Sequence, residues 1–266
     1  MRLLDKILTG EFQSSPHFNK TELLRFLAQS QLVVADNVLK YMLENRAGDI
    51  VSPSDFPCVM LPFEYTFIEV RIPRSTQWST WAEEGGVLLS MNEPKAPEKS
   101  GFVSDEMIEW SLRPEVKFHL HATVFFNSKE DGLCPMCRLI MPVTEDGRLT
   151  TGDDTKFWVI VDRCLPIPGY EEFPEALRDE HLKCAGWILP SALMAISFMH
   201  CRNVAVKKET PPLLLSKKHE KRTGRPLLRY HVIQIDHMKQ VLEREGNAST
   251  EGLKKALHIC RGHFKH

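Results

Sequence analysis

The segment Leu257-His258-Ile259-Cys260-Arg261-Gly262-His263-Phe264 gathers two histidines, an arginine and an aromatic ring around one glycine. Two neighbouring histidines can serve as general acid and base, and an arginine beside them can grip a phosphate through paired donors. Glycine interrupts the helix and frees the backbone to bring them together. His258, Arg261 and His263 are therefore the catalytic candidates, and the chemistry would be cleavage of an RNA phosphodiester. A cation-rich helix end packed by Phe264 accounts for the same residues without chemistry.

A second group lies upstream. Lys207 to Arg229 carries eight basic and two acidic residues. Lys217, Lys218, Lys221, Arg222, Arg225 and Arg229 crowd around Gly224, where they can neutralise phosphates without reading sequence. With Arg261 and His263 they form the expected RNA-binding set. The alternative is a solvated charge run, or one docked on acidic parts of the same chain.

Other candidates lead to ordinary readings. Cys134-Pro135-Met136-Cys137 is a single C-x-x-C, and a structural zinc needs four ligands. His119 and His121 share a strand face, but in a hairpin turning at Asn127–Gly132 they lie about four rungs, or ~13 Å, from the cysteines. No metal and no cofactor are expected. His200-Cys201-Arg202 reads as a helix end whose cations meet the negative end of the dipole. Glu83-Glu84 and Asp153-Asp154 read as solvent-facing. Gly-rich phosphate loops, a G-x-S-x-G elbow and H-E-x-x-H are absent from the sequence.

The charge balance points the same way as the basic cluster. The 266 residues have a formal net charge of −1, yet residues 202–266 hold 15 lysines and arginines against 6 acids. Residues 1–201 hold 19 against 29. The expected organisation is an acidic body over 1–201 and a basic segment over 202–266, packed on it and built of a connector, a strand and two short helices. A composition of 42% hydrophobic and 26% charged residues argues against wholesale disorder. No apolar run reaches the ~18–20 residues of a membrane helix. No export signal is read at the N-terminus, so the seven cysteines are expected as thiols in a cytoplasmic protein.

The elements that would position these residues follow from hydrophobic period. Leu23, Leu27, Val34, Val38 and Met42 recur at helical spacing, so 19–46 reads as helix. From Phe63 the period becomes strand-like, through Phe63–Val70, Val87–Met91, Val116–Phe126, Leu133–Val143 and Phe157–Val161. Glu171 to His200 contains a second helical region, with Pro190 in the first turn of its apolar portion. Residues 202–229 read as a connector, Leu227–Ile235 as a strand, and Met238–Glu245 and Glu251–Ile259 as short helices. The fold class is α+β, a mostly antiparallel sheet flanked by helices.

The C-terminal residues resemble a known signature. The type V-A anti-CRISPR family that lowers the messenger RNA of a Cas12 nuclease, with its relatives in phages, prophages and plasmids, carries H-I-x-R-G-H-[WF]. Here it reads His258, Ile259, Arg261, Gly262, His263 and Phe264, with Cys260 where the family often has a second arginine. Trp187-Ile188-Leu189-Pro190, Lys221-Arg222-Thr223-Gly224 and Leu61-Pro62-Phe63 are similar to the family's layout further upstream. The resemblance implies a mobile-element protein that down-regulates a host defence gene in the bacterial cytoplasm. Its implied partners are the messenger RNA, the nascent peptide, or a ribosome-associated complex. A ribonuclease using His258, Arg261 and His263, and a structural phage protein, are the alternatives.

Overall fold

The computed structural model describes residues 1–10, 18–45, 52–72, 82–100, 102–128, 132–152, 159–164, 185–186, 188–201 and 204–235. Within them the chain runs α1 (Leu3–Leu8), α2 (Lys20–Gln29), β1 (Gln31–Val34), α3 (Asp36–Asn45), β2 (Tyr65–Arg71), β3 (Ala82–Asn92) and α4 (Asp105–Ser111). It continues through β4 (Val116–Ser128), β5 (Gly132–Thr144), β6 (Ile160–Cys164), α5 (Ile188–Met199), β7 (Ala205–Glu209), α6 (Leu213–Thr223) and β8 (Tyr230–Gln234). The strands form one sheet in the order β6-β5-β4-β3-β2-β1-β8-β7. Only β1 pairs in parallel, with β2 and with β8; the other pairings are antiparallel. The fold is α+β, as the change of period at Phe63 predicts.

Three sequence expectations are corrected. The helix expected over 19–46 is α2 and α3 separated by β1. Asn19 caps α2, its side chain accepting from the Glu22 N–H at 3.1 Å, and Ser30 leaves the helical conformation. Leu32, Val33 and Val34 then insert between β2 and β8 and are almost fully buried, an environment that suits β-branched residues on both faces. The connector expected over 202–229 contains β7 and α6. Glu84 is buried rather than solvent-facing: its carboxylate accepts from Lys6 Nζ at 2.5 Å and Asn127 Nδ2 at 3.2 Å. The helices expected over 238–245 and 251–259, and Asp153-Asp154, lie outside the described residues.

The hairpin is where the sequence places it. β4 and β5 pair antiparallel from Ser128↔Gly132 to Val116↔Thr144. Pro190 stands in the first turn of α5, where a missing N–H costs nothing.

Helices cover both sheet faces. On one face α3 and α5 pack on Ile68, Val70, Val87, Leu89, Leu120, Ala122 and Val124. α5 is buried from Ile188 to Phe198, which its all-round hydrophobic sequence requires. On the other face α1 and α2 pack on Phe67, Leu88 and Phe125, while α4 sets Met107 and Trp110 against Ile140 and Ile160.

Gly85 and Gly86 let both layers close on β3. A Cβ on Gly86 would lie 2.4 Å from Phe67 Cζ and 3.1 Å from Leu3 Cδ2. The Phe67 ring is fully buried and cannot retreat cheaply. Gly86→Ala is expected to destabilise by about 1–3 kcal/mol through overpacking. Urea unfolding of the purified variant checks this, and an unchanged midpoint would show that the interface relaxes.

Candidate functional site

α6 forms because a run of good helix formers, Leu-Leu-Leu-Ser-Lys-Lys-His-Glu-Lys-Arg, lies between Pro211-Pro212 and Gly224. Gly224 takes the left-handed conformation at φ 77° and its N–H donates to Glu220 O at 2.8 Å, which closes the helix. Lys221 and Arg222 in the last turn face the negative end of the dipole.

The helix meets the rest of the molecule through its neutral side. His219 is buried, and the Ser216 hydroxyl accepts from the Leu227 N–H at 3.1 Å. The Leu228 N–H donates to Asp5 Oδ1 at 3.1 Å. Burial pushes the Asp5 carboxyl up, and this N–H and nearby His219 pull it back only partly.

The outward side is cationic. Lys217, Lys218, Lys221, Arg222, Arg225 and Arg229 are all exposed. Lys217 stacks on Lys221 and Lys218 on Arg222 at i, i+4, an arrangement of like charges that costs a few tenths of a kcal/mol per pair in an isolated helix. Among the described residues none of these six has a carboxylate within ion-pair distance. The docking of this run on acidic parts of the chain therefore does not use its cations there. Beside the helix, Lys207 and Lys208 stand exposed on β7 at the sheet edge, Lys207 paired with Glu209 at 2.6 Å. Leu213, Leu214 and Leu215 add an exposed apolar step, 67%, 82% and 56% accessible.

Sequence reasoning named the six cations but missed Lys207, Lys208 and the three leucines as parts of one surface. The signal was present in the Pro-Pro start and Gly stop of α6; reading the whole stretch as a connector hid it. His258, Arg261 and His263 lie outside the described residues.

A polar trough occupies the face of the sheet that carries α2 and α4. Tyr65, Ser90, Asn92, His121, Thr123, Arg138 and Arg163 line it together with Phe18, Glu22 and Phe26, enclosing about 220 Å³. Phe26 and Tyr65 stack with centroids 5.0 Å apart. Arg138 is held by buried Asp162, and Arg163 reaches Glu98 at 3.5 Å and Asp162 at 3.7 Å. Burial, then Arg138 and His119, push His121 down to about 4, so its ring is neutral near pH 7. His119 and His121 lie with ring centroids 6.2 Å apart, and His119 Nε2 bonds Ser111 O at 2.8 Å.

In the ladder, His121 faces Ile140, Val124 faces Cys137 and Phe126 faces Cys134. Among the described residues no three metal-ligating side chains gather. Cys58 and Cys164 are free thiols. Cys201 corrects the expectation of thiols throughout: it is disulfide-bonded. An odd cysteine count with irregular spacing does not reveal which sulfurs the fold brings together. Among the described residues no helix is long and apolar enough to cross a membrane.

Comparison with protein-family models, curated proteins and solved structures finds no match for the chain.

Proposed function

We propose that the protein binds RNA through the cationic surface of α6 and its flanking turns, and that it acts by binding rather than by catalysis. The observation that carries this reading is the set of six exposed cations without a carboxylate partner among the described residues, four of them placed as like-charge i, i+4 pairs on one helix. Uncompensated charge of this kind gains most from a polyanion, because each phosphate contact releases condensed counterions. The acidic remainder of the chain steers a polyanion toward this one edge.

The C-terminal resemblance supplies the biological setting. On that basis the protein belongs to a mobile element, works in the cytoplasm of the bacterial host, and lowers expression of a defence gene by recognising its messenger RNA. Inducing the protein in a bacterial host and sequencing total RNA tests this. One or a few messages should fall, and the fall should disappear when Lys217, Lys218, Lys221, Arg222 and Arg225 are replaced by alanine. Purified protein should leave bound RNA intact; cleavage lost in His263→Ala would favour a ribonuclease instead.

A second reading rests on the trough. Its stacked aromatic pair, neutral His121 and two arginines suit a peptide bearing an apolar side chain and a carboxylate. If the RNA interaction fails, a nascent peptide held in the trough becomes the leading account.

A further inference from the structure

The β5–β6 ladder slips by one residue at the trough. Arg138 pairs with Arg163 and the next pair is Leu139 with Val161, so Asp162 has no ladder partner. Bulges of this kind re-aim side chains and recur beside binding sites. Here the bulge sets two residues of β6 against Arg138. The buried Asp162 carboxylate holds the Arg138 guanidinium and lies 3.7 Å from Arg163 Nε. Two guanidiniums therefore share one buried carboxylate. The other acids beside the trough are exposed: Glu22 on α2, and Glu98, 3.5 Å from Arg163. Exposed pairs compensate little. This end of the trough keeps an excess positive charge on two forked donors, which suits an anion with several oxygens.

The opposite end is aromatic, formed by the stacked rings of Phe26 and Tyr65. Register fixes the separation of the two ends. Tyr65 faces Ser90, Ser90 faces His121, and two residues along the same face Thr123 faces Arg138. From β2 to β5 is three strand spacings, about 14 Å between backbones. The floor between carries the Ser90 and Thr123 hydroxyls and the imidazole of His121, neutral near pH 7. Among the described residues these three side chains make no hydrogen bond within the protein. A fitting ligand has a flat face at one end, an anion at the other, and hydroxyl groups between. A nucleotide presents base, ribose and phosphate in that order.

We propose that the trough binds one nucleoside monophosphate unit. Its base lies against the Phe26–Tyr65 pair, its ribose over Ser90, His121 and Thr123, and its phosphate on Arg138 and Arg163. None of the residues lining the trough belongs to α6, β7 or β8, so the site is separate from the cationic surface and does not rest on it. A free nucleotide and the phosphorylated end of an RNA strand share this chemistry.

The test titrates the full chain with adenosine 5′-monophosphate, uridine 5′-monophosphate, adenosine and ribose 5-phosphate by calorimetry. Adenosine and ribose 5-phosphate each lack one end, and each should bind at least ~10-fold more weakly than adenosine 5′-monophosphate. Tyr65→Leu should bring that nucleotide down about tenfold, toward ribose 5-phosphate. Arg163→Gln should bring it down about tenfold, toward adenosine. Arg163 is chosen because loss of Arg138 would leave Asp162 buried without its partner. The ligand series on the unaltered protein needs no variant, so it decides even where a variant fails to fold.

Replacing the five α6 cations by alanine should leave nucleotide binding unchanged, which separates failure here from failure of the RNA surface. A 5′-phosphorylated RNA trinucleotide that binds more tightly than the mononucleotides would assign the site to an RNA end, and one that binds more weakly to a free nucleotide. Four results would overturn the proposal. They are no binding of either mononucleotide at ~1 mM, adenosine binding as well as its monophosphate, affinity unchanged in either variant, or binding of a leucine-rich peptide with a free carboxylate where neither nucleotide binds.

Discussion

Replacing Lys217, Lys218, Lys221, Arg222 and Arg225 together by alanine is expected to cost at least roughly a hundredfold in affinity for single-stranded RNA at ~0.1 M salt. Each phosphate contact contributes about −0.7 to the exponent relating affinity to salt, so five contacts carry about −3.5. The fold should tolerate the change. All five side chains are exposed, and His219 and Ser216, which hold the helix, are untouched. Alanine is the best helix former and relieves the like-charge stacks, so α6 should gain slightly in stability. Fluorescence anisotropy with a labelled single strand measures the loss, and circular dichroism confirms the fold. A variant that binds as the wild type does would remove α6 from the interface.

The second large effect is on stability against pH, and it centres on Glu69. This carboxylate is wholly buried under α1, where it accepts from the Leu3 N–H at 2.7 Å and from Arg2 Nη1 at 3.3 Å. Burial raises it most; Arg2 lowers it, Glu84 raises it further, and the net position is about 7 against an ordinary 4.5. A carboxyl that holds its proton more tightly when folded stabilises the fold fully below its unfolded value. That contribution is lost as the pH rises through the folded value. The window is therefore pH 4.5 to 7. At ~1.4 kcal/mol per pH unit the loss over this window is on the order of 3–3.5 kcal/mol. Glu69→Gln keeps an acceptor for the Leu3 N–H and cannot ionise, and Arg2 retains Asp36 at 3.7 Å. Urea unfolding at pH 5 and pH 8 should show the wild type losing markedly more stability over that interval than the variant. Equal losses would mean that Glu69 is ionised throughout.

Much of this fold could be read from local pattern, and the exceptions are physical. The β4–β5 hairpin was legible because strand-period runs flank a polar turn, and its pairing is local. β1 was not. Val34, Val38 and Met42 satisfy a helical period, yet Leu32, Val33 and Val34 form a strand because β2 and β8 offer parallel partners from distant sequence. Glu84 looked like an exposed acid because nothing near it in sequence announces Lys6 or Asn127.

The candidate sites divide in the same way. The α6 cations were legible as composition, since charge clusters survive any fold. That they share one side of a helix, beside the exposed strand β7, required the structure. The trough joins residues from β2 to β6 with α2, a spacing that leaves no mark in the sequence.

The salt dependence of RNA binding by the intact chain tests the proposed role of α6 most directly. Dissociation constants for one labelled single strand, measured from ~50 to ~300 mM salt, should give a logarithmic slope of about −3.5 or steeper, a loss of roughly a hundredfold between 50 and 200 mM. A slope near zero, or no measurable binding at the lowest salt, would contradict it.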